Sequence, residues 1–258
     1  MEKKSMLKTF VLTSAAVMML SSPVAIAAEG EAPLTNVDFS FEGPFGTYDK
    51  ASLQRGLMVY RQVCSACHSL KRVAYRNLTA LGYTEDQVKA IAAEYTVTDG
   101  PNDDGEMFDR PARPSDKFKS PFTNDKAAAA ANGGALPPDL SLITKARHGG
   151  GEYVFGVLTG YVAPPEDVVV PEGKYFNKAM VGNIIAMPAP LTAGAVAYED
   201  GSPQTVEQYA KDVGAFLTWA AEPEMEQRKQ MGVKVLIFLA AFAGIMYGVK
   251  RKIWEKLH

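Results

Sequence analysis

The chain's only two cysteines stand three residues apart, Cys64 and Cys67, and His68 follows directly. Two cysteines this close exclude a disulfide scaffold, so order must come from a packed core or from something bound. The means for a core are present: 47% of the 258 residues are hydrophobic and 22% charged, which excludes wholesale disorder and collagen-like repeats. Sixteen Pro and 22 Gly point to long loops. A formal charge of −2 argues against nucleic acid as a partner, because binding phosphates needs a basic surface.

The long apolar runs lie at the two ends. Lys3, Lys4 and Lys8 precede an apolar stretch from Phe10 to Leu20, and Ala25-Ile26-Ala27 offers a small-residue cleavage site. This pattern predicts a signal peptide over residues 1–27, because eleven apolar residues are too few to span a bilayer. A second run, residues 231–249, reaches roughly 28 Å as a helix, close to the ~30 Å hydrocarbon core, and reads as a transmembrane anchor. Lys250-Arg251-Lys252 after it favours a cytoplasmic tail, residues 250–258. Between the ends lie a head, residues 28–222, and a linker, residues 223–230. The head holds 17 basic and 25 acidic residues, an acidic domain on a basic stalk.

Within the head the periodicity is helical. Asp49 caps a helix with Leu53, Leu57, Tyr60 and Cys64 on one face. Thr84 with Gln87, and Thr205 with Gln208, are capping-box pairs opening two more helices. Asn124 caps the alanine run 127–131, and short helices are expected at 140–147 and 152–158. Residues 99–125 read as loop, with an acidic cluster at Asp99, Asp103, Asp104, Glu106 and Asp109 as a possible docking surface. Residues 160–203 read as a long wrapping loop with a small hairpin near 168–170. The expected fold is mostly α with long loops and one C-terminal transmembrane helix. Gly56 and Gly214 are the positions at which the first and last head helices would approach.

Cys64-Ser65-Ala66-Cys67-His68 is the attachment pattern for c-type haem. Two thiols one turn apart reach the two vinyl groups as thioethers, and the next residue aims an imidazole at the iron. A thioredoxin-like dithiol would follow a strand and open a helix, whereas this motif ends one. A zinc site needs four ligands, and only His148 and His258 remain to complete it. Candidates for the iron's other face are Met58, Met107, Met180, Met187, Met225 and His148. Met187 is favoured, because Pro188 and Pro190 stiffen its loop, while Met180 has no such framing. Arg147 is a candidate partner for the haem propionates, and Tyr153 adds a hydroxyl.

These residues resemble the cytochrome c1 family, the membrane-anchored haem subunits of cytochrome bc1 complexes. The carrying segments are Arg55-Gly56 through His68, Gly134-Ala135-Leu136-Pro137-Pro138-Asp139-Leu140-Ser141, Ala146-Arg147-His148-Gly149-Gly150, Gly160-Tyr161, Tyr175-Phe176-Asn177, Ala186-Met187-Pro188 and Trp219-Ala220-Ala221-Glu222-Pro223-Glu224. The resemblance implies a class I cytochrome c-like domain with one covalent haem c. It implies thioethers at Cys64 and Cys67, axial ligands His68 and Met187, and a propionate partner at Arg147. It also implies a one-electron carrier between a Rieske iron–sulfur protein and a soluble c-type cytochrome, beside cytochrome b, with no bond chemistry of its own. By the same analogy the head lies in the periplasm of a bacterium, on its inner membrane. Some bacterial members brace the methionine loop with an extra cysteine pair, which this chain lacks. Two other readings stay open here: a membrane-anchored c-type subunit of a terminal oxidase, and a haem enzyme or gas sensor with an open iron site.

Overall fold

A computed structural model describes residues 35–255, so the expected signal peptide lies outside the described residues. The fold is mostly helical. Helix α1, Lys50–Gln62, starts as the sequence predicts: the Asp49 carboxylate accepts from the amide of Ala51. A tight 3₁₀ turn, Cys64–Ala66, follows. Another 3₁₀ segment, Tyr75–Leu81, leads to α2, Glu85–Ala93, opened by the reciprocal Thr84–Gln87 capping box. Strands β1, Thr96–Asp99, and β2, Phe108–Pro111, come next, then α3, Asp125–Ala131, capped by Asn124. The 3₁₀ turn Leu140–Leu142 runs into the short α4, Ile143–Ala146, and α5 is Gly151–Thr159. Strands β3, Tyr175–Phe176, and β4, Ile184–Ile185, interrupt the long wrapping segment before α6, Val206–Ala221, and α7, Met225–Trp254.

Both hairpins differ from expectation. β1 and β2 pair antiparallel with Thr96 opposite Pro111 and Asp99 opposite Phe108, so part of the loop expected at 99–125 is strand. Arg110 explains it: the guanidinium pairs with both Asp99 and Asp116, tying the polar strands to the next loop. The hairpin expected near 168–170 is instead β3–β4, with Tyr175 opposite Ile185. Pro165 and Pro171 flank the valines, Val169 is 90% exposed, and a segment framed by prolines is poorly suited to a ladder.

The core forms where α1 crosses α6. At Gly56 a β-carbon would stand 2.1 Å from the carbonyl oxygen of Asp212 and 2.6 Å from Phe216 Cβ, so only glycine permits this approach. Gly214 behaves otherwise. Its free face meets the carbonyl of Gly151 and the ring of Phe39, so it admits α5 and the N-terminal segment rather than α1. Beside the crossing, the fully buried carboxylate of Asp212 takes two hydrogen bonds from Arg55, at 2.9 and 3.0 Å, one from Ser52 at 2.7 Å and one from Gln208 at 3.0 Å. Such a pair is tolerated because its lone pairs are filled. Around it, Tyr60 packs on Phe118 and Phe216, Tyr75 stacks on Phe118 at 4.6 Å, and Phe216 lies against Trp219.

Residues 225–230, read from sequence as linker, are the opening turns of α7, and the helix runs beyond Val249 to Trp254. Its thirty residues give about 45 Å, enough for a ~30 Å hydrocarbon core with polar turns to spare. It is long and apolar enough to cross a membrane, and none of its most apolar window is buried within the chain. Its first turns are pinned to the head: Lys229 donates to the carbonyls of Phe41 and Gly46, and Glu226 accepts from the amide of Tyr48 at 2.7 Å. Glu222 receives both Lys145 and Arg228.

Asp212→Ala leaves the Arg55 cation largely buried without its main partner and is expected to cost about 3–5 kcal/mol of stability. Denaturant unfolding of the intact chain in detergent checks this. A loss within ~0.5 kcal/mol would mean that the pair does not hold the crossing.

Candidate functional site

Helix α1 delivers the cysteine motif. Its last hydrogen bond is from Val63 to the carbonyl of Val59, after which the chain tightens, and the amides of Cys67 and His68 both reach the Cys64 carbonyl, at 3.1 and 2.8 Å. In a 3₁₀ turn positions i and i+3 eclipse, which brings Cys64 and Cys67 to one side. Expectation had placed the pair on a turn of α-helix; the tighter turn serves the same end. The Tyr60 hydroxyl, donating to the His68 carbonyl at 3.1 Å, ties the end of the motif back to α1.

His68 is set by one contact. Its Nδ1 lies 2.9 Å from the carbonyl oxygen of Pro138. A carbonyl only accepts, so Nδ1 carries the proton and the lone pair is on Nε2. Burial lowers the pKa of the imidazole below its usual value, which keeps it neutral. A neutral ring with its tautomer fixed by a carbonyl is the form that binds a metal.

Asp139 holds this arrangement together, a role that was invisible in the sequence. It caps the 3₁₀ turn through the amide of Ser141 and also accepts from the Ser69 hydroxyl at 2.7 Å and the Lys71 amide at 2.9 Å. Leu140 donates to the Ser69 carbonyl at 2.9 Å. The segment after His68 is thereby laced to the segment after Pro138. Burial acts to raise the Asp139 pKa, but the hydrogen bonds from Lys71, Ser141 and Ser69 outweigh it and hold the carboxyl below the usual range.

Cys64, Cys67 and His68 open into one cavity of about 630 Å³, whose walls are mainly apolar: Val154, Val157 and Leu158 from α5, and Val213 and Leu217 from α6. Met187, Arg147 and Tyr153 line the same cavity, so all six sequence-predicted residues come together. Arg147 is exposed and its side chain's one described hydrogen bond is to the neighbouring Ala146 carbonyl, leaving its guanidinium without an ion pair among the described residues. Met180, set aside in the sequence for want of framing, also lines the cavity. Its sulfur, however, lies 3.5 Å from the Tyr153 hydroxyl, which donates to it. Met107 is on the exposed β1–β2 hairpin and Met58 is on α1, away from the cavity lining. His148 is exposed and does not line the cavity.

The rival readings of the motif fare poorly. Burial, with Cys67 beside it, pushes the Cys64 thiol up to about 12, whereas a redox dithiol needs a depressed value. Among the described residues no three His, Cys, Asp or Glu are grouped so that they could hold a metal ion. The acidic loop divides: Asp99 is paired with Arg110 and Asp109 accepts from Thr98, while Asp103, Asp104 and Glu106 are exposed near the hairpin tip.

Because the folded pKa of Asp139 is lowered, its contribution is complete above the ordinary carboxylate value near ~4 and is lost as pH falls through the folded value. Asp139→Asn is therefore expected to be less stable than the parent at neutral pH, with the difference shrinking in acid. Denaturation midpoints from pH 7 downward check the sign; a gap that widens in acid would contradict it.

Two thiols, a neutral imidazole of fixed tautomer and a thioether, all on one apolar cavity, are the donor set of a c-type haem pocket, and the residues fit that group. Comparison with known proteins agrees. Residues 39–257 match the Cytochrome C1 family. Cytochrome c1 of Rhodospirillum rubrum is 48% identical over 95% of this chain and 96% of its own length. The mitochondrial cytochrome c1 heme protein of Saccharomyces cerevisiae is 46% identical over 91% of this chain and 76% of its own. The protein named Cytochrome b/c1 of Bradyrhizobium diazoefficiens is 48% identical over 96% of this chain, which spans only 39% of that longer protein. With a family match across most of its length and relatives near half identical, the chain belongs to the cytochrome c1 family.

Proposed function

We propose that this chain is the haem-bearing electron carrier of a cytochrome bc1 complex, accepting electrons from a Rieske iron–sulfur protein and delivering them to a soluble c-type cytochrome. The observation that carries the reading is the single apolar cavity onto which Cys64, Cys67, His68 and Met187 all open. Cys64 and Cys67 would hold haem c through thioethers, His68 would ligate through Nε2, and Met187 would close the opposite face. When bound, the haem iron supplies a one-electron couple whose potential Met/His ligation raises. The apolar walls from α5 and α6 would limit water around a bound haem, and its ligation by both His68 and Met187 would leave no open position for a substrate. Arg147, lining the cavity with no ion pair among the described residues, is suited to a propionate, and Tyr153 lines the same cavity.

Met187 is preferred over Met180 on a specific contact. The Met180 sulfur accepts the Tyr153 hydroxyl, while no described hydrogen bond occupies the Met187 sulfur. The pairing with cytochrome b draws support from the name Cytochrome b/c1, and from the Candida albicans protein named as the cytochrome b-c1 complex catalytic subunit, 49% identical over 83% of this chain. The basic residues Lys250, Arg251 and Lys252 at the end of α7, with the export pattern in residues 1–27, support a periplasmic head, a single membrane crossing and a cytoplasmic C-terminus in a bacterial inner membrane.

Met187→Leu is expected to keep its haem but lose potential, on the order of hundreds of millivolts within the ~0.8 V that axial ligands span. Met180→Leu is expected to keep the potential near that of the parent. Redox titration of both variants decides. If Met180→Leu lowers the potential and Met187→Leu does not, the axial assignment is reversed.

A further inference from the structure

The loop that presents Met187 is held by a strap no covalent bond supports, since the chain's two cysteines are both in the haem motif. The strap starts where α5 ends. Tyr161 donates its hydroxyl to the carbonyl oxygen of Met187 at 3.0 Å. Its backbone pairs with Asn177 as an isolated antiparallel bridge, and the amide of Lys178 donates to the Gly160 carbonyl at 3.0 Å. Asn177 is fully buried; its amide donates to the carbonyl of Val157 at 2.7 Å, and its side-chain oxygen accepts from Ala179 at 2.9 Å. A β-carbon on Gly160 would lie 2.5 Å from that oxygen, so the glycine makes room for the asparagine. Val157 itself lines the cavity. The main chain of Met187 is thus fastened to the helix that forms the cavity wall. From the other side, Pro188 restricts Met187 to extended conformations.

We propose that Tyr161 is a positioning residue for the Met187 thioether: its hydroxyl fixes the Met187 backbone where the sulfur would ligate a bound haem. The inference rests on the reading of Met187 as the ligand. A side chain anchored at its backbone reaches the iron without searching, and release of the anchor shifts the balance from ligated to open iron. One net hydrogen bond of this kind corresponds to about a fivefold change in that balance.

Tyr161→Phe removes the hydroxyl and little else. The test uses the full-length, haem-loaded chain in detergent and follows carbon monoxide binding to the reduced protein, which must wait for the thioether to leave. Met187→Leu marks the fully open limit, and Asp116→Ala, which disturbs the distant β1–β2 hairpin, is a destabilised control. The expected result is rapid binding in Met187→Leu, binding about fivefold faster than wild type in Tyr161→Phe, and wild-type slowness in Asp116→Ala. A wild-type rate in Tyr161→Phe beside an open Met187→Leu overturns the positioning role and leaves the ligand reading intact. Equal acceleration in Tyr161→Phe and Asp116→Ala also overturns it, as a general loosening. If Met187→Leu itself binds no faster than wild type, the ligand reading falls and the positioning role falls with it.

Discussion

Where α1 crosses α6, the absence of a single methyl group at Gly56 lets two helices meet at backbone distance, and the buried Arg55–Asp212 pair locks the angle beside it. The rest of the head is arranged about that contact. Two turns beyond Gly56, α1 releases the cysteine turn. The residue after Asp212, Val213, is already part of the cavity wall, and Leu217 follows one turn later. The crossing therefore sets how far the thiols stand from the opposite wall. A mainly apolar cavity of about 630 Å³ beside a core of stacked aromatic rings has the size and lining of a site for a large apolar group.

The polar contacts around the cavity divide the labour. Pro138 selects the tautomer of His68, and Asp139 laces the two segments that make this contact. On the other side, Asn177 and Tyr161 tie the wrapping segment to α5. The Asp139 carboxylate is the one charge among these contacts, and the Ser69 hydroxyl and the amides of Lys71 and Ser141 satisfy it; the others join neutral groups. Ion pairs hold other parts of the head, among them the helix crossing and the foot of α7, where Glu222 gathers Lys145 and Arg228.

Much of this was legible in sequence for identifiable reasons. Helix starts were readable because Asp49, Thr84, Asn124 and Thr205 satisfy amides within three residues, a local matter. That Cys64, Cys67 and His68 would share one cavity was readable because their spacing is local. What failed depends on partners distant along the chain. The β1–β2 hairpin is held by Arg110 reaching Asp99 and Asp116. The β3–β4 hairpin was misplaced by several residues because a run of valines outweighed the turn at Gly182 and Asn183, where φ is positive. Gly214 was assigned to the wrong neighbour, since periodicity gives a face but not what covers it. Asp139 and Tyr161 were seen only as parts of motif segments; their hydrogen bonds to Ser69 and Met187 span 70 and 26 residues and leave no local trace.

The central claim is that Cys64 and Cys67 bind haem covalently. The most direct measurement is the reduced spectrum of the protein after denaturation and washing with acidified organic solvent, which strips any haem held only by ligation. The account expects one haem per chain to remain, with the spectrum of a porphyrin whose two vinyl groups are both saturated as thioethers, and Cys64→Ser with Cys67→Ser to abolish it. Loss of all haem from the washed parent protein, or its retention in the double variant, would contradict the account.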